Sequence, residues 1–450
     1  MRRILGMAAL ALFWAAPRGM AQQTATPPTS TPMAGAAQGA AGGRTLTIEE
    51  AEAIALRNNP QITVGKLRAL QAHEFVREVR STLMPQANGD LEGVGADSGT
   101  RLSAGGFLTN GAMFSRAAAG VAVSQLITDF GRTPNLLSSS KFQAKAEDEN
   151  AAATRQQIIL AVDQAFYNVL ETRALQKVAL DTVKARQNLV DQIKALTDAK
   201  LRSEIDLSFS KVDLARAKLL MLDSESGYQA SLSTLSAILG YPEQQNFDVA
   251  EGAPQTVNPP SADPVPLVRQ AMQMRPEILA LQNEVSAAEK FGRAEHDLWW
   301  PTVTGLGAVG AAPVRDPNIT SRYGAGGVIV HIPLFNGFLY NARAKSADLE
   351  TEVKRKRLQD LQDNVARDVR NGWLDTQKAF ERLSVTQQLR EQAQLSLELA
   401  DARYKLGLAT IVEYSQAELQ QTDAQLQDTD AHYQYILSQL ALAYEIGLTR

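Results

Sequence analysis

One nine-residue stretch occurs twice in this chain, and few folds accommodate such a duplication. Residues 200–208 (KLRSEIDLS) align with 407–415 (GLATIVEYS) at an offset of 207 positions. The register runs without a gap to Gly240 and Gly447, placing Ser203 on Thr410 and Asp206 on Glu413. In each copy a hydroxyl residue is followed three positions later by an acidic one, the signature of a helix start. Each copy therefore marks a point where one helix ends and another turns back, and the chain is read as two related hairpins.

The flanking spacing is helical on both sides of each turn. Ile158, Val162, Ala165 and Val169 follow a 4-3-4 spacing within a helix expected from about 134 to 199. Val212, Ala215, Leu219 and Leu222 continue it after the first turn. In the second half a helix from about 341 to 406 precedes the turn, and Leu419, Thr422, Leu426, Thr429, Tyr433, Ile436, Leu440 and Ala443 follow it in unbroken 3-4 alternation. That spacing favours left-handed coiled-coil packing. Earlier, Thr47 and Glu50 form a capping box, and Asn59-Pro60 opens a helix that stops before Pro85. Arg275-Pro276 and Pro301 repeat Asn59-Pro60 and Pro85 at an offset of 216. A helix of about 66 residues spans roughly 100 Å, and two of about 25 and 36 together span roughly 90 Å. Each half can thus pair one long helix with two shorter ones stacked end to end.

Between the helices the period changes. Gln86, Asn88, Asp90 and Glu92 alternate with small or apolar residues, which is strand patterning. A Gly-rich polar stretch over residues 95–111 reads as a loop, and the two offsets differ by the nine residues that fall there. The expected fold is mainly α with β, organised as a signal peptide (1–21), a flexible leader (22–44), a first repeat (45–240, strands about 86–94 and 115–127), a connection (241–265) and a second repeat (266–450, strands about 302–309 and 324–332). Four strands cannot close a barrel, and bare sheet edges are unstable in isolation, so several chains must contribute. Phe130, Trp299, Trp300, Phe335, Phe338 and Tyr340 cluster at the helix-side ends of the strands, with Phe107, Phe114 and Tyr323 towards the loop side. Two aromatic levels fit membrane-interface girdles; rings plugging a soluble sheet–helix junction are the alternative.

Composition narrows the function. The formal charge is −4, or −7 without Arg2, Arg3 and Arg18 of the signal peptide, and no basic face is evident, so nucleic acid is not an expected partner. There is no cysteine, which excludes disulfides, thiolate metal sites and a lipid anchor on cysteine. The four histidines lack metal-ligand spacing, and neither a phosphate loop nor a nucleophile elbow is present. No cofactor, metal or enzymatic activity is expected.

Several motifs in fixed order carry a resemblance. They are Leu46-Thr47-Ile48-Glu49-Glu50-Ala51, Asn58-Asn59-Pro60, Arg275-Pro276-Glu277-Ile278, Trp300-Pro301, Pro333-Leu334-Phe335-Asn336-Gly337 and Tyr404-Lys405-Leu406-Gly407-Leu408-Ala409-Thr410. With them the chain resembles the TolC family of outer-membrane efflux proteins over nearly all its mature length. The resemblance implies a homotrimer in outer-membrane lipid, each chain giving four strands to a twelve-stranded barrel above a long helical tunnel through the periplasm. It also implies a periplasmic adaptor and an inner-membrane pump of the RND, ABC or MFS type as partners. Carried over by position, Leu201, Ser203, Gly407, Leu408 and Thr410 would form the adaptor-docking tip. Tyr404 and Asp206 would form a gate bond, Glu413 would match one acidic ring at the mouth, and Gln416 stands at the next. A basic residue that restrains the gate in the family is Ala409 here. Read without the resemblance, Asp206 and Glu413 are acids at helix starts, where they suit the macrodipole, and the two leucines are turn residues or a docking surface. The leading function is a passive exit duct for small molecules or ions. The outer-membrane element of type I protein secretion and a soluble periplasmic coiled-coil scaffold or adaptor are the alternatives.

Overall fold

The computed structural model describes residues 45–95, 101–104, 107–112, 116–251, 259–312 and 321–448, all within one compact unit. The signal peptide and leader, together with Phe114, lie outside the described residues. Among the described residues there are eight α-helices and six strands; the first half supplies α1 (Ile48–Asn58), α2 (Pro60–Ser81), β1 (Gln86–Val94), β2 (Arg101–Ala104), β3 (Phe107–Ala112), β4 (Arg116–Thr128), α3 (Arg132–Asp198) and α4 (Glu204–Ile238). The second half supplies α5 (Val265–Met274), α6 (Pro276–His296), β5 (Thr302–Ala311), β6 (Arg322–His331), α7 (Leu339–Lys405) and α8 (Ile411–Glu445).

The two long helices, α3 and α7, have 67 residues each, and α4 and α8 have 35 each. At 1.5 Å per residue the long pair reaches roughly 100 Å. Strands enter at the N-terminal ends of α3 and α7, and the turns close their C-terminal ends. Along α3, helices α2 and α4 lie end to end: Asn59 Nδ2 donates to the Ile238 carbonyl at 3.0 Å. Gly240 (φ 85°) makes this junction possible, because a Cβ there would stand 2.9 Å from the Asn58 backbone. Gly447 (φ 79°) repeats the arrangement against Met274. Where Asn59 caps α2, the second half uses Arg275, whose guanidinium reaches Glu445 at 2.6 Å and Glu277 at 3.3 Å.

The helices form one layer. Its upper part runs α2–α3–α6–α7 and its lower part α4–α3–α8–α7, so α2 and α4 form one free edge and α7 the other. The main core sits midway, where Phe166, Val162 and Val169 of α3 meet Leu235 of α4, Ile62 of α2, Ala51 of α1 and Ile436 of α8. A short parallel bridge between Leu46 and Val249 closes over it.

The main sheet is antiparallel in the order β1–β4–β5–β6, leaving β1 and β6 as open edges. Its register places Val121 opposite Val309, and Val303 opposite Val330. Leu91, Val123 and Val328 fall on that same face, while Asn88, Asp90, Glu92 and Ser124 fall on the other. Leu306 and Ile329 share that second face, so it is mixed where the first is aliphatic; carboxylates confined to one face suit a wall between lipid and water. Tyr323 of β6 reaches over Gly310 of the adjacent β5 to Gly120 of β4 beyond it.

The stretch expected as a Gly-rich loop contains more structure than its composition suggested. Residues 101–104 and 107–112 pair as a separate hairpin, β2–β3. Strand β4 ends one residue later than expected at Thr128, after a bulge between Leu126 and Thr128, and β5 extends two residues further, to Ala311. Among the described residues no helix is long and apolar enough to cross a membrane.

Candidate functional site

The two turns close by the same backbone device. In the second, Leu408 N–H reaches the Arg403 carbonyl at 2.8 Å and Gly407 N–H the Tyr404 carbonyl at 3.0 Å, with Gly407 at φ 74°. In the first, Leu201 bonds to Leu196 at 2.8 Å and Lys200 to Thr197 at 2.9 Å, with Lys200 at φ 62°. These are Schellman closures, which need a left-handed residue after the helix. Ser203 and Thr410 then cap α4 and α8 by accepting from the N–H groups of Asp206 and Glu413, each at 3.2 Å.

The closures turn the leucines of both turns outward, while Ala409 packs inward against the cluster of Ile193, Tyr404 and Ile411. Leu201 is 71% exposed and Leu408 67%, with Leu406, Ile205 and Val412 exposed around them. Gly407 has open space where a side chain would extend. Glu413 is exposed and lies 3.8 Å from Arg403, and Gln416 is exposed on the next turn of α8.

Tyr404 behaves differently from its neighbours in the turn. It is only 7% exposed, packs with Ile193 and Ile411, and stacks on Tyr414 with centroids 5.4 Å apart. Its hydroxyl is enclosed and makes no hydrogen bond among the described residues. The expected bond to Asp206 is therefore not formed within the protomer. Burial pushes the hydroxyl above the usual phenol range; Arg202 opposes that shift and Asp206 adds to it. The polar contact to Tyr404 comes from Arg202, whose guanidinium lies 4.2 Å over the ring and donates to the Tyr404 carbonyl at 3.0 Å.

Further along the helices lies a buried polar tier that the sequence reading missed. Arg186 of α3 pairs with Glu418 of α8, Tyr414 Oη donates to Glu418 at 3.0 Å, and Ser415 donates to Asp213 of α4. Burial lowers the Arg186 guanidinium, while Asp213 and Tyr414 hold it up. The tier ties three helices together just behind the turns. Its trace in the sequence is Arg186, a charge on the 3-4 series of α3; Asp213 and Glu418 stand one residue away from the Val212–Leu222 and Leu419–Ala443 series, and in α4 that series itself is exposed at Val212, Leu219 and Leu222.

At the other end, the aromatics pair off. Phe130 meets Trp300 at 6.0 Å, Trp299 meets Tyr340 edge-on at 5.6 Å, and Phe335 meets Phe338 edge-on at 5.7 Å. Phe335, Phe338, Trp300 and Phe130 nevertheless remain more than half exposed. Of the rings towards the loop side, Tyr323 is about half exposed, and the side chains of Phe107 and Phe114 lie outside those described. Rings that are paired yet outward-facing suit a lipid–water interface better than a sealed soluble junction.

The outer membrane efflux protein family matches residues 53–241 and 267–448, one match on each half. The chain belongs to that family. Outer membrane protein TolC of Salmonella enteritidis is 23% identical over 407 residues, covering 87% of this chain and 79% of TolC. Cation efflux system protein CusC of Escherichia coli K12 is 21% identical over 408 residues, covering 87% and 84%. Crystal structures of CusC superpose with a TM-score of 0.77 at 18% identity, covering 89% of this chain and 92% of CusC. As an outer membrane efflux protein, the chain sits in the outer membrane and extends into the periplasm. Its four-stranded sheet is one protomer's share of the family's trimeric twelve-stranded barrel, which accounts for the open edges at β1 and β6. That placement removes the soluble-scaffold alternative. The names of these relatives describe an outer membrane protein and a cation efflux protein, and the CusC structures a transmembrane channel.

Proposed function

We propose that three copies of this chain form the passive exit duct of a tripartite efflux system. An inner-membrane pump passes small molecules or ions to the duct through a periplasmic adaptor. The observation that carries this reading is the pair of exposed leucines, Leu201 and Leu408, at the end of roughly 100 Å helices opposite the sheet. Apolar side chains held outward by rigid turns favour a protein partner. Leu201, Ser203, Gly407, Leu408 and Thr410 are the docking residues, and Tyr404, Asp206, Glu413 and Gln416 surround the mouth.

A photocrosslinking amino acid at Leu201 or Leu408, followed by purification under native conditions, tests this directly. The duct reading expects an adaptor at the crosslink and a pump co-purifying with it. Recovery of an ABC exporter together with a large exported polypeptide would assign the chain to type I secretion instead. Absence of any periplasmic partner at either position would contradict docking at the tip.

A further inference from the structure

Far from the turns, a groove of about 930 Å³ runs across the upper helix layer. It touches both outer helices, α2 through Phe75 and α7 through Lys354, as well as α3 and α6 between them. A hollow reached from both edges of a layer lies on its concave side, and in a ring of three such layers the concave side is the inside. The α3 positions agree. Seven-residue steps from Gln143 pass the half-buried Asn150 to Gln157 and Gln164, which stay exposed where other faces of α3 are buried in the main core.

The lining has a specific chemistry. Phe75 and Phe291 occupy equivalent positions of the two repeats, at the offset of 216, and are 47% and 41% exposed. Glu74 is held by Arg77 at 2.8 Å and Glu284 by Lys354 at 2.7 Å. Glu78, Glu147 and Glu350 form no ion pair among the described residues, against the single charge of Arg68. The groove therefore combines two aromatic faces with an excess of negative charge.

We propose that this groove is a transit subsite for lipophilic organic cations. The rings offer apolar area and an attractive face to a cation, and the carboxylates concentrate cations in a confined, negatively lined passage. A small metal ion would gain little from the rings, and an organic anion would be repelled by the carboxylates. The inference rests on the duct reading, since only in a duct does the concave face become a path.

Binding of tetraphenylphosphonium to the purified full-length trimer, measured by equilibrium dialysis, tests the groove. Tetraphenylborate supplies the same shape with the opposite charge, and tetramethylammonium the charge without rings. The phosphonium is expected to bind more tightly than either, and Phe75→Ala with Phe291→Ala to weaken it about tenfold. Glu147→Gln with Glu350→Gln is expected to weaken it as well. If the alanine pair prevents assembly, Phe75→Leu with Phe291→Leu removes the rings while keeping apolar bulk. Unchanged phosphonium binding in the aromatic and carboxylate variants, or equal binding of tetraphenylborate, would overturn the proposal. Ion conductance of the same preparation separates the two levels. A conducting trimer that does not bind the phosphonium rejects the subsite alone, and a trimer that does not conduct rejects the duct beneath it.

Discussion

The guanidinium of Arg202 covers the ring of Tyr404 at 4.2 Å and donates to its carbonyl at 3.0 Å, joining the two turns across 202 residues of sequence. Arg202 is also the repeat partner of Ala409. The basic group missing from the second turn is thus present at the equivalent position of the first. The tip keeps a cationic clasp, supplied by the other half of the duplication.

This relationship changes which substitution should loosen the mouth. The Tyr404 hydroxyl is enclosed and makes no hydrogen bond among the described residues, so Tyr404→Phe should leave single-channel conductance unchanged and cost no stability. Arg202→Ala removes a cation–ring contact and a hydrogen bond, about 1–2 kcal/mol together. That is enough to move the closed–open balance by roughly tenfold. Recordings in planar bilayers should therefore show more open time for Arg202→Ala than for Tyr404→Phe, and the reverse order would reject the clasp.

The buried pair of Arg186 and Glu418 should respond asymmetrically to mutation. Removing one partner strands a buried charge, so Arg186→Met should cost about 3–5 kcal/mol. Arg186→Met combined with Glu418→Leu should recover most of that loss, since both desolvation costs disappear. Thermal unfolding of the two single variants and the double variant, read as a cycle, checks this; additive losses would mean that the pair does not act as a unit.

Glu171 sets a pH dependence midway along the helices. Burial, then the neighbouring Asp430, raises its carboxyl from 4.5 to about 7, and Gln434 partly opposes the shift. Arg382 holds Asp430 at 2.8 Å. The folded value exceeds the unfolded one, so folding takes up a proton between those two pH values. The stabilisation is complete below about 4.5 and is lost as pH rises to about 7, a change on the order of 3 kcal/mol. Glu171→Gln should flatten the fall in melting temperature between pH 5 and 7; an unaltered pH profile would contradict the assignment.

Gly407 separates docking from folding. Nothing lies within 4 Å of a Cβ placed there, so a side chain can leave the turn, and the cost within the protomer is that of the left-handed backbone, about 1–2 kcal/mol. Gly407→Trp should preserve trimer assembly while abolishing crosslinking from Leu408 to the adaptor and the associated efflux. Retained efflux would remove the turn from the docking surface.

Much of this architecture was legible because duplication repeats its punctuation. Asn59-Pro60, Ser203, Thr410 and Gly240 mark helix ends through local backbone chemistry, which a single sequence records directly. The hairpin β2–β3 was hidden because glycine and polar residues are shared by loops and by solvated strands. Arg186 and Glu418 were missed for a different reason. A charge at a buried helical position looks like surface until the partner from another helix is known. The missing Tyr404–Asp206 bond belongs to the same class, since position along the chain places two side chains near each other without deciding which atoms meet.

If this sheet is one third of a pore wall and the helices continue the passage, the assembled protein must conduct ions across a bilayer. Reconstitution of the purified protein into planar lipid bilayers tests it most directly. Discrete, uniform conductance steps from a trimeric species are expected, with Arg202→Ala more open than the parent. A purified protein that remains monomeric in water without detergent, and leaves the bilayer electrically silent, would contradict it.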